Sequence, residues 1–327
     1  MRSMLASGVL LGLLAGAPAS AFDLQGHRGA RGLAPENTLA AFDAALAIGV
    51  TTLELDVAMT RDDVLVVSHD RKLNPDHTRG PDGQFLDREG PAIRSLTLAE
   101  LRRYDVGGLK PGTDYAASFP AQRPVPGARI PTLADVFALA AERQADHVRF
   151  NIETKLTPTS GAETPDPETF AAAVARAVRD AGLGGRATVQ SFDWRTLAVM
   201  RRIAPEIERV CLTVEALSFD TIRRGQPGPS PWTAGLDIDD VDGSVPRLVA
   251  AAGCQAWSPH YRNAKPADIA AAKALGLKVI PWTVNERGDM ERLIALGVDG
   301  IITDYPDRLR AVMAEQGMSL PPQAAAR

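Results

Sequence analysis

Cysteine is nearly absent: Cys211 and Cys254 are the only two in 327 residues. Two thiols cannot staple a chain this long, and without a C-x-x-C pair there is no zinc ribbon or dithiol redox centre. The pair reads as two small buried hydrophobes rather than as a bridge. Aromatic residues make up only 5% of the chain, and Lys+Arg, at 36, falls short of Asp+Glu, at 40, for a net charge of −4. An electrostatic nucleic-acid binder would normally be basic, so that partner class is disfavoured. An acidic protein that handles a phosphate must supply local positive charge or a metal. Long hydrophobic runs are missing except at 5–15, which follows Arg2 and precedes Pro18 and Ala19-Ser20-Ala21. That run is shorter than the roughly 20 residues of a membrane span. It reads as a secretory signal over 1–21, cleaved after Ala21, which implies a periplasmic or secreted product without stable membrane insertion. No G-x-S-x-G, H-E-x-x-H or G-x-x-x-x-G-K-[ST] is present, so the hydrolases and nucleotide-binding proteins that carry them are excluded.

What is present is an alternation of short apolar strands and amphipathic helices. Strands are expected at 24–27, 51–57, 64–68, 148–153, 187–190, 209–213, 256–258, 278–283 and 300–303. Helices are expected at 38–48, where Gly49 ends the pattern, at 133–143 behind a Thr132-x-x-Asp135 cap, and at 170–181 and 290–296. Only Thr60-Arg61-Asp62-Asp63 separates the second strand from the third. A parallel crossover needs a dozen or more residues, so these two strands must form an antiparallel hairpin. The hairpin brings His69 back beside Glu54. Residues 71–130 are rich in Pro and Gly, with one convincing helix behind the capping box Thr97-x-x-Glu100. They read as an insertion or cap over one end of the main domain. With 64–68 set aside as the returning arm, eight parallel strands remain, which argues for an α/β protein with a (β/α)8 TIM barrel. A doubly wound sheet is the alternative, but Gly182-Leu183-Gly184-Gly185 follows a helix, the wrong context for binding dinucleotide phosphates. The expected organisation is a barrel domain over 22–316 and a tail over 317–327.

Active sites of such barrels lie at the C-terminal strand ends. Glu54 and Asp56 are two apart on one strand and so share a face. Glu153 reaches the same rim from the neighbouring strand. Three clustered carboxylates repel unless a cation lies between them, and an all-oxygen set suits Ca²⁺ or Mg²⁺. His27 and His69 stand at strand ends beside carboxylates, where proton transfer near neutrality is available. His77 and His147 lack that company and read as structural or exposed. Arg28 and Lys155 offer charge to a phosphate. Glu36-Asn37-Thr38 opens the first helix, with Asn37 or Thr38 as N-cap. Gln190 and His260 lie at further strand ends. Trp282 is either an aromatic wall for a substrate or barrel packing.

Taken together, His27-Arg28-Gly29, Pro35-Glu36-Asn37-Thr38, Glu54-Leu55-Asp56-Val57, Asp63, His69-Asp70, Glu153-x-Lys155, Trp282-Thr283-Val284-Asn285 and Thr303-Asp304-x-Pro306 resemble the glycerophosphodiester phosphodiesterase family, in its exported bacterial form. The resemblance runs from about His27 to Arg310. It implies a (β/α)8 barrel, a divalent metal, Ca²⁺ before Mg²⁺, and hydrolysis of glycerophosphodiesters to sn-glycerol 3-phosphate and an alcohol. It implies further that Glu54, Asp56 and Glu153 are metal ligands, His27 and His69 the acid–base pair, and Arg28 and Lys155 the phosphate contacts. Glu36, Asn37, Gln190, His260 and Trp282 are candidates for touching substrate or supporting those that do. Two rivals remain at this stage. One is a lipid phosphodiesterase of the phospholipase C or D type, which would favour an apolar rim. The other is an exported binding protein for phosphate esters, which would need no histidine pair.

Overall fold

The computed structural model describes residues 21–325; the signal-peptide expectation falls almost entirely outside them. Eleven strands are present among the described residues: β1 (Asp23–Gly26), β2 (Thr52–Met59), β3 (Leu65–Val67), β4 (Arg149–Thr154), β5 (Ala187–Ser191), β6 (Glu208–Thr213), β7 (Glu215–Ala216), β8 (Phe219–Asp220), β9 (Ala256–Pro259), β10 (Lys278–Val279) and β11 (Gly300–Thr303). Eight of them pair in parallel in the order β10-β9-β6-β5-β4-β2-β1-β11. The ring closes through Asp299 N–H to Val279 C=O (2.9 Å) and Ile302 N–H to Pro281 C=O (3.0 Å). Eight helices follow the barrel strands in turn: Leu39–Ile48, Leu133–Glu142, Pro167–Asp180, Trp194–Ile203, Val245–Ala252, Pro266–Ala274, Arg287–Ala295 and Pro306–Glu315. This is the expected (β/α)8 barrel.

The hairpin is present. β2 and β3 pair antiparallel, Val57 opposite Val67, and Ser68 N–H donates to Asp56 C=O at 2.9 Å. That register carries His69 to the rim nearest Asp56, rather than directly beside Glu54 as the turn length alone suggested. β10 stops four residues short of the expected 283 because Pro281 has no N–H to continue a ladder. Two of the expected helices, Pro167–Asp180 and Arg287–Ala295, start three residues earlier than the apolar pattern implied. Pro167–Asp180 is opened by Asp166, which accepts from Thr169 N–H, and its polar first turn carries no periodic signal. Thr38 is the N-cap of the first helix, while Asn37 sits just outside it at φ 54°. Both expected capping boxes form, at Thr97 and Thr132, although the first opens only a four-residue helix. Residues 71–130 also contain a second short helix, Asp114–Ser118, and have a small core of their own in which Leu73, Ile93, Leu101, Val106 and Ile130 pack on Val66 of β3.

Most of the core lies between sheet and helices, with Phe42, Leu53, Phe150, Phe170 and Met200 fully buried. The barrel interior is different. Apolar Val210, Ala256, Ile280 and Ile302 fill one side. On the other runs a ladder of amides: Gln25 Nε2 donates to Asp23 (2.8 Å), Asn151 Nδ2 to Gln25 and Gln190 (2.9 Å each), and Gln190 Nε2 to Glu54 (2.7 Å). Buried amides need such partners.

The two cysteines correct the sequence reading. Cys211 lies on β6 and Cys254 just before β9; these strands are neighbours, and the cysteines form a disulfide with Cα atoms 5.9 Å apart. They are 43 positions apart in the sequence, so the bridge closes a long loop containing β7 and β8. Replacing both by alanine is expected to cost about 2–4 kcal/mol of unfolding free energy. Urea midpoints of the oxidised protein and the double variant check this; equal midpoints would refute it.

Candidate active site

The turn after β1 builds one side of the site. Gly29 has φ +85°, and a Cβ there would lie 2.5 Å from the Ala41 carbonyl carbon, so only glycine fits. Arg28 is itself left-handed at φ 51°, a conformation an L side chain seldom holds without compensation. The compensation is its N–H, which donates to Glu54 Oε2 at 2.9 Å.

Glu54 and Asp56 on β2 and Glu153 on β4 converge as expected. Asp56 and Glu153 are register partners, all three are buried, and one oxygen from each lies within 4.8 Å of the others. Burial raises Glu54 well above the usual carboxylate range, and repulsion from Asp56 and Glu153 adds to it. Burial likewise pushes Glu153 up to about 7, against the opposing charge of Lys155. Asp56 goes down despite burial, because Lys155, His69 and Arg28 all favour its charged form. Its Oδ2 accepts from Asn37 Nδ2 at 2.9 Å, but its Oδ1 is buried with no hydrogen-bond partner. A buried carboxylate oxygen without a hydrogen bond, 3.6 Å from the Lys155 ammonium and in a cluster of three carboxyl groups, fits a hard divalent cation.

The two histidines are set alike. His27 Nδ1 lies 2.7 Å from Asp304 Oδ1, and His69 Nδ1 lies 2.9 Å from Asp70 Oδ1. Since a carboxylate only accepts, each Nδ1 carries the proton and each Nε2 is left with its lone pair. Burial holds both imidazoles down, to about 4, with Arg31 adding to the effect at His27 and Arg28 and Lys155 at His69. Both are therefore neutral at neutral pH. Asp304 is fixed by Arg31, whose Nε and Nη2 reach its two oxygens at 2.7 and 2.9 Å, and by Asn285 Nδ2 at 2.6 Å. Asp70 is fixed by Asn74 at 2.8 Å, with His77 3.5 Å away. His77 thus has the acidic company that the sequence reading denied it, because residues 71–130 fold back on the rim. His147 is exposed.

Lys155 Nζ lies 2.6 Å from Glu153 and 3.6 Å from Asp56. Arg28 pairs with Glu36 at 2.7 Å, and Tyr115 donates its hydroxyl to the other Glu36 oxygen. Burial alone would raise Glu36, yet Arg28, His77 and Arg31 hold it at about 2. A chamber of 170 Å³ is lined by His27, Arg28, Arg31, Glu54, His69, Glu153, Lys155, Gln190 and Trp282 among others. Glu36 and Asn37 do not line it; they hold Arg28 and Asp56 from behind. Gln190 does, while holding Glu54. His260 packs on Trp282 with ring centres 5.3 Å apart and is not part of the lining. The sequence reading gave no role to Arg31, Tyr115 or Phe192. Arg31, three residues after Arg28 in the same turn, was the one with a local signal.

The raised carboxyls make a prediction. Without a cation, Glu153 titrates near 7 in the folded chain against an ordinary 4.5, so the folded state binds the extra proton between those values. The stability this brings is full below about pH 4.5 and is lost as pH rises through about 7. Cation binding requires the protons to leave. The rise in melting temperature on adding Ca²⁺ is therefore expected to grow from about pH 5 to about pH 8. Thermal scans with Ca²⁺ and with chelator test this; an equal shift at every pH would contradict it.

The sequence model of the glycerophosphoryl diester phosphodiesterase family matches residues 27–308. A glycerophosphodiester phosphodiesterase of Caldanaerobacter subterraneus is 30% identical over 291 residues, covering 89% of this chain and 97% of the relative. A crystal structure from Silicibacter pomeroyi, described under the same family name, is 36% identical, covers 93% of this chain and 96% of its own, and superposes with a TM-score of 0.81. An Oleispira antarctica phosphodiesterase, solved in complex with the product sn-glycerol-3-phosphate, shares the fold at 22% identity and a TM-score of 0.62, covering 89% of this chain and 96% of its own. A barrel with this carboxylate cluster and this match from end to end leaves one assignment: the chain belongs to the glycerophosphoryl diester phosphodiesterase family and is an enzyme of that family.

Proposed function

We propose that this enzyme hydrolyses glycerophosphodiesters to sn-glycerol 3-phosphate and an alcohol, with Glu54, Asp56 and Glu153 holding one divalent cation, Ca²⁺ before Mg²⁺, and His27 and His69 moving the protons. The observation that carries the reading is the meeting of a buried three-carboxyl cluster, in which Asp56 Oδ1 has no hydrogen bond, with two imidazoles whose Nδ1 atoms are tied to carboxylates. When bound, the cation neutralises phosphate oxygens and orients the ester. Arg28 and Lys155 add positive charge at the same chamber, where shielding from bulk water strengthens it. One imidazole takes the proton of the attacking hydroxyl at its Nε2; the other, which must first take up a proton at Nε2 from solvent beside the anionic phosphate, gives that proton to the departing alcohol oxygen, so the two rings exchange charge and are reset through water. Asp304 and Asp70 stabilise the imidazolium formed on each ring in turn. Support also comes from the names carried by the relatives and from the product held by the Oleispira protein. The phospholipase-type reading has less support, since the groove beside the site, aromatic on one part, carries the ion-paired Arg71, Lys72, Glu89 and Glu163 on the other.

Release of glycerol 3-phosphate from glycerophosphocholine is expected with Ca²⁺ and to be lost with chelator. His69→Ala is expected to lower turnover by about a hundredfold to ten-thousandfold while calorimetry finds Ca²⁺ binding kept. If His69 is the acid, a nitrophenyl ester will recover much of the loss; if it is the base, His27→Ala will show that recovery instead. Loss of Ca²⁺ binding in His69→Ala, or full turnover on every substrate, would sink the role.

We also propose that the enzyme is exported and begins at Phe22 after removal of 1–21, the barrel domain running over 22–316 with its insertion at 71–130. The motive is the charged, apolar and small-residue order of Arg2, 5–15 and Ala19-Ser20-Ala21. No helix among the described residues is long and apolar enough to cross a membrane. Mass spectrometry of periplasmic material is expected to find the new terminus; an uncleaved, membrane-bound product would refute it.

A further inference from the structure

Beyond the chamber lies a groove of 670 Å³ that shares His69, Glu153, Lys155, Phe192 and Trp282 with it. Through that shared lining, an ester arm too large for the 170 Å³ chamber has room in this groove. Its lining is of two kinds. One part is aromatic: Trp282 meets Phe192 edge to face at 5.2 Å, Phe192 meets Phe219 at 5.4 Å, and Phe219 meets Trp232 at 5.3 Å. In a chain with only 5% aromatics, four rings from four separate segments gather here. They run in a row rather than enclosing a point. The other part is a row of ion pairs: Arg71 to Glu163 at 3.1 Å, Lys72 to Glu163 at 2.8 Å, and Lys72 to Glu89 at 2.9 Å. Two cations and two carboxylates offset one another. About a third of each of the Arg71, Lys72 and Glu163 side chains stays exposed, so they present both donors and acceptors to the groove.

We propose that the groove is the subsite for the leaving alcohol and that it selects a polyhydroxylated ring, a cyclitol or a sugar, over an alcohol bearing a quaternary ammonium. This rests on the hydrolytic reading above. Such a ring has a C–H face that lies on aromatic surface and hydroxyls that both donate and accept, which are the two chemistries of the lining. A quaternary ammonium gains from an aromatic face. Here, however, the carboxylates that could draw it, Glu89 and Glu163, are already paired with Arg71 and Lys72, and it has no hydroxyl for the ion-pair row. A site that hydrogen-bonds hydroxyls discriminates against analogues lacking them.

The test compares kcat/KM for glycerophosphoinositol and glycerophosphocholine on the whole Ca²⁺-loaded enzyme. Glycerophosphoinositol is expected to be preferred by at least about tenfold. Trp232→Ala and Arg71→Ala are each expected to lower that ratio by about tenfold. Because the ratio is taken within one preparation, a partly misfolded variant scales both rates alike and leaves it unmoved. A preference for choline, no preference, or a ratio that neither variant moves overturns the subsite while leaving the hydrolytic reading intact. If the wild-type enzyme hydrolyses neither diester with any divalent cation, the hydrolytic reading falls and the subsite with it.

Discussion

Mutual repulsion of three buried carboxyl groups is the constraint around which this barrel is organised. Placing Glu54, Asp56 and Glu153 within 4.8 Å of one another, away from water, is unfavourable unless each oxygen finds a partner. The neighbouring residues answer that need one atom at a time. The strained Arg28 backbone presents its N–H to Glu54, Gln190 presents an amide to the same side chain, Asn37 presents one to Asp56, and Lys155 stands against Glu153. Asp56 Oδ1 is buried without a hydrogen bond, the Lys155 ammonium standing 3.6 Å from it. The unusual features of the β1 turn follow from this: the left-handed Arg28, the glycine that no other residue can replace, and the buried Glu36 that holds the guanidinium.

The histidines are governed by a second device, used twice. Each imidazole is tied through Nδ1 to an aspartate, and each aspartate is fixed by further donors, Arg31 and Asn285 on one side and Asn74 on the other. The two dyads come from opposite ends of the chain's logic. Asp70 follows His69 directly, whereas Asp304 lies 277 residues from His27 and reaches it only because β11 pairs with β1. Closure of the barrel is therefore what orients His27.

That contrast also explains what the sequence could disclose. Side-chain periodicity put Glu54 and Asp56 on one face, and a four-residue gap required the hairpin, because both are local geometry. Capping boxes at Thr97 and Thr132 were equally plain. The link from Asp304 to His27, the Tyr115 hydroxyl on Glu36 and the gathering of Phe192, Phe219, Trp232 and Trp282 depend on which strands become neighbours, and no local pattern encodes that. The cysteines were misread for the same reason. Their 43-residue separation says nothing until β6 and β9 are seen side by side. The shortened β10 was legible in Pro281, whose missing N–H removes a rung wherever the strand lies.

The amide ladder through the barrel interior has a consequence for how this protein can change. Gln25, Asn151 and Gln190 occupy positions that a barrel ordinarily fills with branched aliphatic side chains. Exchanging them for such side chains would tighten the packing and remove the obligation to satisfy buried amides. It would also free Glu54 from its donor. Hydrocarbon gained in the middle of the barrel is thus lost as order at its mouth. Sequence drift toward a greasier, more robust interior and retention of a well-aimed carboxylate cluster pull against each other along a single line of four side chains.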